Sequence, residues 1–228
     1  VEGRPMRRQG FTTQTIKPAY LKPKLPLTVS DITERRAGDP IGNRPLTGAA
    51  RLDAQIRADM AQLMDMIDAR VEKMASEALQ TGKIVIAGDD YPTAEVDFGR
   101  DASLTVALAA ADRWDSATAD IPNQIQDFQA RISRLRGGIV RDVVLGANVF
   151  RAFQKSASVL ERYKLFQNQG GALPMILPNT QDMTYVQYHG MFGDLRFWTY
   201  SSYFDLEDGT SENYLDPDSV LFIAAESM

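Results

Sequence analysis

The 228-residue sequence contains no cysteine and a single histidine. The first absence removes disulfide frameworks, thiolate metal sites and cysteine nucleophiles. The second leaves any zinc site dependent on three carboxylates, a rare donor set. No Gly-x-Ser-x-Gly elbow and no phosphate loop occurs. No run of 18 apolar residues exists, so no segment reads as a membrane-spanning helix. The chain opens on Val1 without an apolar leader, which suggests a trimmed or partial product. The rest is ordinary for a globular chain. It is 44% hydrophobic and 24% charged, and long enough for one large domain or two small ones.

Charge is unevenly placed. Residues 1–36 carry eight Lys and Arg against three Asp and Glu, a net of +5 that leaves −10 on the remainder of a chain of net −5. A basic end on an acidic body suits either a nucleic-acid tail or an arm that docks on the acidic body of another copy. The second reading is preferred, because the segment is not lysine-dense and carries alternating β-type residues. Phe11 to Ile16 predicts one extended strand; Ala19-Tyr20-Leu21 and Leu25 to Val29 predict a return strand. Pro18, Pro23 and Pro26 bar a helix and a central-strand role. With little apolar bulk, such a hairpin cannot bury itself.

Residues 37–46 form a turn-rich link into the longest periodic stretch. From Thr47 to Gly82, apolar side chains fall at Leu52, Ile56, Met60, Leu63, Ile67, Val71, Met74 and Ala78. The three- and four-residue spacing predicts one helix from about Ala49 to Thr81 with one apolar face, expected to be buried. Thr47 can cap its start, and Gly82 supplies the left-handed residue at its end. The rod would be roughly 48 Å long, about as long as a compact chain of this size is wide. The mean spacing of ~3.7 excludes a coiled-coil seam, which needs 3.5.

Further on, strands are predicted at Lys83 to Gly88 and Glu95 to Arg100, with Asp89 to Pro92 as a turn. A second helix opens at Asp120-Ile121-Pro122 and closes at Gly137-Gly138. Ile139 to Leu145 predicts a strand. Gly146-Ala147-Asn148 leads into a third helix presenting Val149, Phe153, Ala157 and Leu160. Strands follow at Met183 to Tyr188, Leu195 to Tyr200 and Ser219 to Ala224, with turns at Gly190 to Asp194, Asp208-Gly209 and Asp216-Pro217-Asp218. This order gives a mixed α+β chain without a βαβ repeat.

Few residues could carry chemistry. Asp89, Asp90, Asp97 and Asp101 form a loose acidic group that could hold Mg²⁺ with a bound phosphate. Asp97-Phe98-Gly99 spells the kinase metal-binding triplet, but without a glycine-rich loop or a His-Arg-Asp stretch it reads as coincidence. The acids Asp205, Glu207, Asp208, Glu212, Asp216 and Asp218 contain no base and read as a solvated loop or a docking surface. His189, beside a turn glycine, reads as structural. Met60, Met64, Met66 and Met74 read as core filler. The reading therefore assigns no catalytic, cofactor-binding or metal-binding residue, and no cofactor.

The order of several motifs resembles the major capsid proteins of lambda-like tailed phages and prophages, the capsid protein E family. The resemblance is carried by Lys17-Pro18-Ala19-Tyr20-Leu21-Lys22-Pro23-Lys24 and Arg35-Arg36. It continues in Leu79-Gln80-Thr81-Gly82-Lys83, in Val96-Asp97-Phe98-Gly99-Arg100 with Trp114 downstream, and in Tyr188 to Asp194 and Tyr214-Leu215-Asp216-Pro217-Asp218. It implies the tailed-phage (Hong Kong 97 type) shell fold: residues 1–36 as an extended hairpin arm, 37–115 as a peripheral domain on a spine helix, and 116–228 as a mixed α/β axial domain. Family segments before the arm and after Met228 are absent here.

The resemblance implies a non-enzymatic structural subunit that self-assembles into the pentamers and hexamers of an icosahedral shell. Such a shell encloses DNA without reading its sequence and touches no membrane. It is placed in the virion capsid, and in the bacterial host cytoplasm during assembly. Scaffolding, portal and decoration proteins would be further partners. The residues alone leave two other readings open: a metal- or phosphate-binding enzyme using the acids from Asp89 to Asp101, and a nucleic-acid binder using the basic arm.

Overall fold

The computed structural model describes residues 20–28, 47–88, 91–136, 138–168, 185–206 and 209–225, and every absence stated below refers to these. The first arm strand, the link at 37–46, Asp89, Asp90, Glu207, Asp208 and the Gly170-Gly171 pair lie outside them. The fold is mixed helix and sheet, as expected.

Helix α1 spans Gly48–Thr81, 34 residues without interruption. Thr47 caps it: its Oγ1 accepts from the Ala50 N–H at 3.3 Å. Gly82 closes it in the left-handed region, at φ 77°, and its N–H reaches the Ala78 carbonyl. Arg100 adds a second closure. Its guanidinium donates to the Leu79 carbonyl at 2.8 Å and to the Gln80 carbonyl, placing a cation on the negative end of the helix. A Cβ on Gly82 would lie 2.8 Å from Arg100 Nε, so both the backbone angle and the close approach require glycine there.

Helix α1 leads into an antiparallel ribbon of β1 (Lys83–Gly88) and β2 (Tyr91–Asp97), in register from Lys83 opposite Asp97. The second strand lies earlier than the expected Glu95 to Arg100. It stops at Asp97 because that carboxylate accepts from the Gly99 N–H at 2.8 Å and turns the chain. Pro92 lies inside β2 rather than in a turn; in a two-stranded ribbon every strand is an edge, where proline is tolerated.

The remainder forms one core. A 3₁₀ turn at Ala102–Leu104 and further turns lead to Trp114, whose indole N–H donates to Gln124 Oε1 at 2.9 Å. Helix α2 (Ile121–Arg136) follows, its first turn capped by Asp120. Then come β3 (Ile139–Leu145), α3 (Ala147–Lys155), α4 (Ala157–Asn168), β4 (Val186–Phe192), β5 (Leu195–Tyr200), β6 (Tyr203–Asp205), β7 (Ser211–Asn213) and β8 (Val220–Ala225). The sheet order is β4-β5-β3-β8; β3 and β5 run parallel and the outer pairs antiparallel. On one face Val143, Leu145, Leu195 and Phe197 pack with Ile121 and Ile125 of α2, Val149 and Phe153 of α3 and Val159 of α4. Asp142, Arg196 and Trp198 occupy the other face, where Asp142 accepts from both Arg196 (2.6 Å) and the indole N–H (2.9 Å).

Four further expectations are corrected. The third helix is two helices, broken at Ser156, which adopts extended angles and starts the next turn by accepting from the Leu160 N–H. The burial phase changes with the break: Val159 is buried and Leu160 is exposed. Strand β4 runs through Gly190 to Phe192, with a bulge at His189, leaving only Gly193-Asp194 as the turn. Residues Tyr20 to Thr28 are not in a strand. The apolar face of α1 is not buried: Ser76 is the helix's one buried residue, while Met60 and Met64 are 62% and 65% exposed.

Candidate functional site

Two of the acids that could have held a metal, Asp97 and Asp101, make contacts within the chain; Asp89 and Asp90 lie outside the described residues. Asp97 turns the backbone at Gly99 and lies 3.4 Å from Lys83 Nζ. Its carboxyl is held below the usual carboxylate range, first by the Gly99 N–H and then by Lys83. Asp101 caps the 3₁₀ turn through the Ser103 N–H and hydroxyl. Among the described residues, no three His, Cys, Asp or Glu side chains cluster as metal ligands. No described helix is long and apolar enough to cross a membrane.

The late acids among the described residues are likewise occupied. Asp205 accepts from Ser211, Glu212 pairs with Lys73 at 2.9 Å, Asp216 folds its own turn, and Asp218 accepts from Asn148 at 3.0 Å. That turn anchors α3. The Pro217 carbonyl accepts from the Asn148 and Val149 N–H groups (3.1 and 3.3 Å), and Gly146 N–H reaches the Ser219 carbonyl at 3.0 Å. No local signal marks this junction, because its halves lie about 70 residues apart in the chain.

Helix α1 meets the β5–β8 region through polar groups near its C-terminal end. Ser76 Oγ and Gln80 Nε2 both donate to the Tyr214 carbonyl, and Gln80 Oε1 accepts from the Asp216 N–H. Lys73 Nζ sits 4.3 Å from the centre of the Phe204 ring. Tyr200 donates to Glu72 at 2.8 Å. Burial and that carboxylate push the Tyr200 phenol up to about 12. The periodicity of α1 identified its apolar stripe but not this polar seam.

His189 is buried at 4% exposure. Its Nε2 lies 2.8 Å from Thr199 Oγ1, its ring stacks on Phe150 at 3.9 Å, and its Nδ1 has no partner among the described residues.

What remains available is contact surface. Ile56, Met60, Met64, Met66 and Val71 of α1 are exposed, as are Tyr20, Leu21 and Leu27 of the N-terminal segment. Between Arg57 and Arg70 the helix carries Asp59, Asp65 and Asp68 and no cation, whereas the N-terminal segment carries Lys22 and Lys24. The described part of the long helix therefore leaves an apolar face uncovered, and residues 20–28 leave apolar side chains uncovered beside Lys22 and Lys24.

Comparison with known proteins agrees. The family model for phage major capsid protein E matches residues 1–228, and the chain belongs to that family, whose role is structural rather than enzymatic. It is 26% identical over 229 residues to the P21 prophage-derived major head protein of Escherichia coli O6:H1 strain CFT073 and, equally, to the major capsid protein of Enterobacteria phage P21. It is 25% identical to the major capsid protein of Escherichia phage N15 over 230 residues. Each alignment covers 98% of this chain; the chain spans 64% of the length of these relatives. The crystal structure of a prophage capsid protein from Escherichia coli CFT073 superposes with a TM-score of 0.63 at 21% identity, covering 84% of this chain and 55% of that one, which shows the likeness of fold.

Proposed function

We propose that the chain is a shell subunit of the tailed-phage, Hong Kong 97 type. Residues 1–36 form the arm, 37–115 a peripheral domain on α1, and 116–228 an axial domain around the four-stranded sheet. Copies assemble as pentamers and hexamers of a virion shell that encloses DNA without reading its sequence, and assembly takes place in the bacterial host cytoplasm. Scaffolding, portal and decoration proteins complete the set of partners. Beyond family membership, the observation that carries this reading is the exposed stripe of α1. Covering Ile56, Met60, Met64 and Val71 stabilises an assembly by about 4–6 kcal/mol per copy, at ~1–1.5 kcal/mol for each part-exposed side chain. The arm is the fitting cover, because its +5 charge meets the acidic middle of the helix. Such pairing joins different surfaces of two copies and so builds rings and lattices rather than closed dimers.

The test is electron microscopy of the full-length protein after expression, where shells, tubes or rings are expected. A species that stays monomeric at every concentration tried overturns the reading. Lys22→Glu combined with Lys24→Glu should lower assembly and leave the monomer's Tm unchanged; equal assembly by parent and variant removes the arm from the mechanism.

A further inference from the structure

The chain's single histidine is buried within the subunit in a specific setting. His189 lies at the β4 bulge, between Thr199 of β5 and Phe150 of α3, and is nearly inaccessible. We propose that His189 is an acid-sensitive latch: neutral, it holds β4 against β5 and α3; protonated, it releases them. The proposal is independent of the assembly reading, because every contact in it lies within one subunit.

The hydrogen bonds define the neutral form. Among the described residues Nδ1 faces no donor or acceptor, so the tautomer that leaves no buried N–H unpaired puts the lone pair on Nδ1 and has Nε2–H donating to Thr199 Oγ1. A buried acceptor without a partner is tolerated better than a buried N–H without one. Protonation puts an N–H and a positive charge at Nδ1, where no acceptor waits.

The surroundings offer no relief. On α3 the charged side chains, Arg151 and Lys155, are exposed cations. On β5 Arg196 is paired with Asp142 on the far face of the sheet, and Tyr200 is bonded to Glu72. On β4 itself Tyr188 packs on Trp198 of that same far face. No carboxylate is positioned to hold an imidazolium. Burial alone acts on the ring and lowers its pKa from the ordinary value.

The sign follows. The unfolded or opened chain binds the proton more readily, so the latch is closed above the ordinary histidine pKa of ~6.5 and weakens as pH falls below it. Each unit by which the folded-state value lies below the free one multiplies opening by ~10 in acid.

One histidine in 228 residues makes the test unambiguous, since its imidazole gives one titrating NMR signal. That signal should inflect below ~6.5. Amide exchange of peptides covering β4 and α3, corrected for intrinsic rates, should open more at pH 5 than at pH 7, by up to ~10-fold for each unit that the NMR inflection lies below ~6.5. His189→Gln can still donate to Thr199 but cannot be charged, so its peptides should not respond. An exchange rate for β4 and α3 that is equal at the two pH values, or an equal response in His189→Gln, overturns the proposal. Should the variant fail to fold, the wild-type signal decides: an inflection at or above ~6.5 overturns it as well.

Discussion

Replacing Gly146 by alanine tests the junction that ties the late chain to the sheet. Gly146 sits at φ −67°, ψ 157°, which any residue adopts, so no penalty comes from its own backbone angles. The obstacle is space. An added Cβ would lie 2.3 Å from the Pro217 carbonyl oxygen, 2.5 Å from its carbon and 2.6 Å from the Asp216 oxygen. All three are backbone atoms, so no side chain can swing aside, and relief needs a shift of about 1 Å toward ordinary contact. The same carbonyl accepts from Asn148 and Val149 at 3.1 and 3.3 Å, and a shift of that size breaks those bonds. Two hydrogen bonds at ~1 kcal/mol each and ~1–2 kcal/mol of overpacking outweigh the ~0.4–1 kcal/mol gained from stiffening the unfolded chain. The net is a loss of about 3 kcal/mol, or a Tm lower by roughly 6–12 °C for a chain of this size. The assay is thermal and urea unfolding of parent and variant side by side. A Tm unchanged or raised would refute the reasoning, because without the collision the substitution should be neutral or mildly stabilising.

Other substitutions probe the long helix. Met60→Glu with Met64→Glu should leave the monomer's Tm within a degree or two, since both side chains are exposed, while reducing assembly measured by light scattering; a large Tm loss would mean the stripe is covered within one chain. Arg100→Ala removes the cation and both donors from the end of α1 and should cost ~1–2 kcal/mol, with faster amide exchange confined to the last turn and to β1. Tyr200 should ionise near 12 in a difference-absorbance titration. Its opened form loses the proton first, so the contact's contribution is complete below pH ~10 and is lost as pH rises toward 12; a Tyr200 that titrates with the free phenol would dissociate it from Glu72.

The sequence made α1 legible to within a residue because three local signals coincide there: period, N-cap and terminal glycine. Strand β3 is legible for a related reason, a short segment rich in Val, Ile and Leu between Gly138 and Gly146. The break between α3 and α4 was not legible, because Val149, Phe153, Ala157 and Leu160 keep helical spacing straight across it, and Ser156, though favoured at a helix start, is tolerated inside one. The uncovered face of α1 was missed because periodicity reports that a face is apolar, not what lies against it. The structural reading of the lone histidine agrees with its burial, but its partnerless nitrogen depends on Phe150 and Thr199, which no spacing rule joins. The polar seam at Ser76 and Gln80 was invisible for the same reason: its acceptor is the backbone of Tyr214, and a carbonyl leaves no signature in composition.

The exposed methionines of α1 have a chemical consequence. In a chain without cysteine, thioethers are the side chains most readily oxidised, and Met60, Met64 and Met66 stand in solvent. Peroxide reaching a free subunit converts this row to sulfoxides, turning an adhesive stripe into a wetted one. A copy whose stripe is already covered is shielded from the same dose. The oxidation state of these three residues is therefore a durable mark of whether a given copy was free or covered when the oxidant arrived.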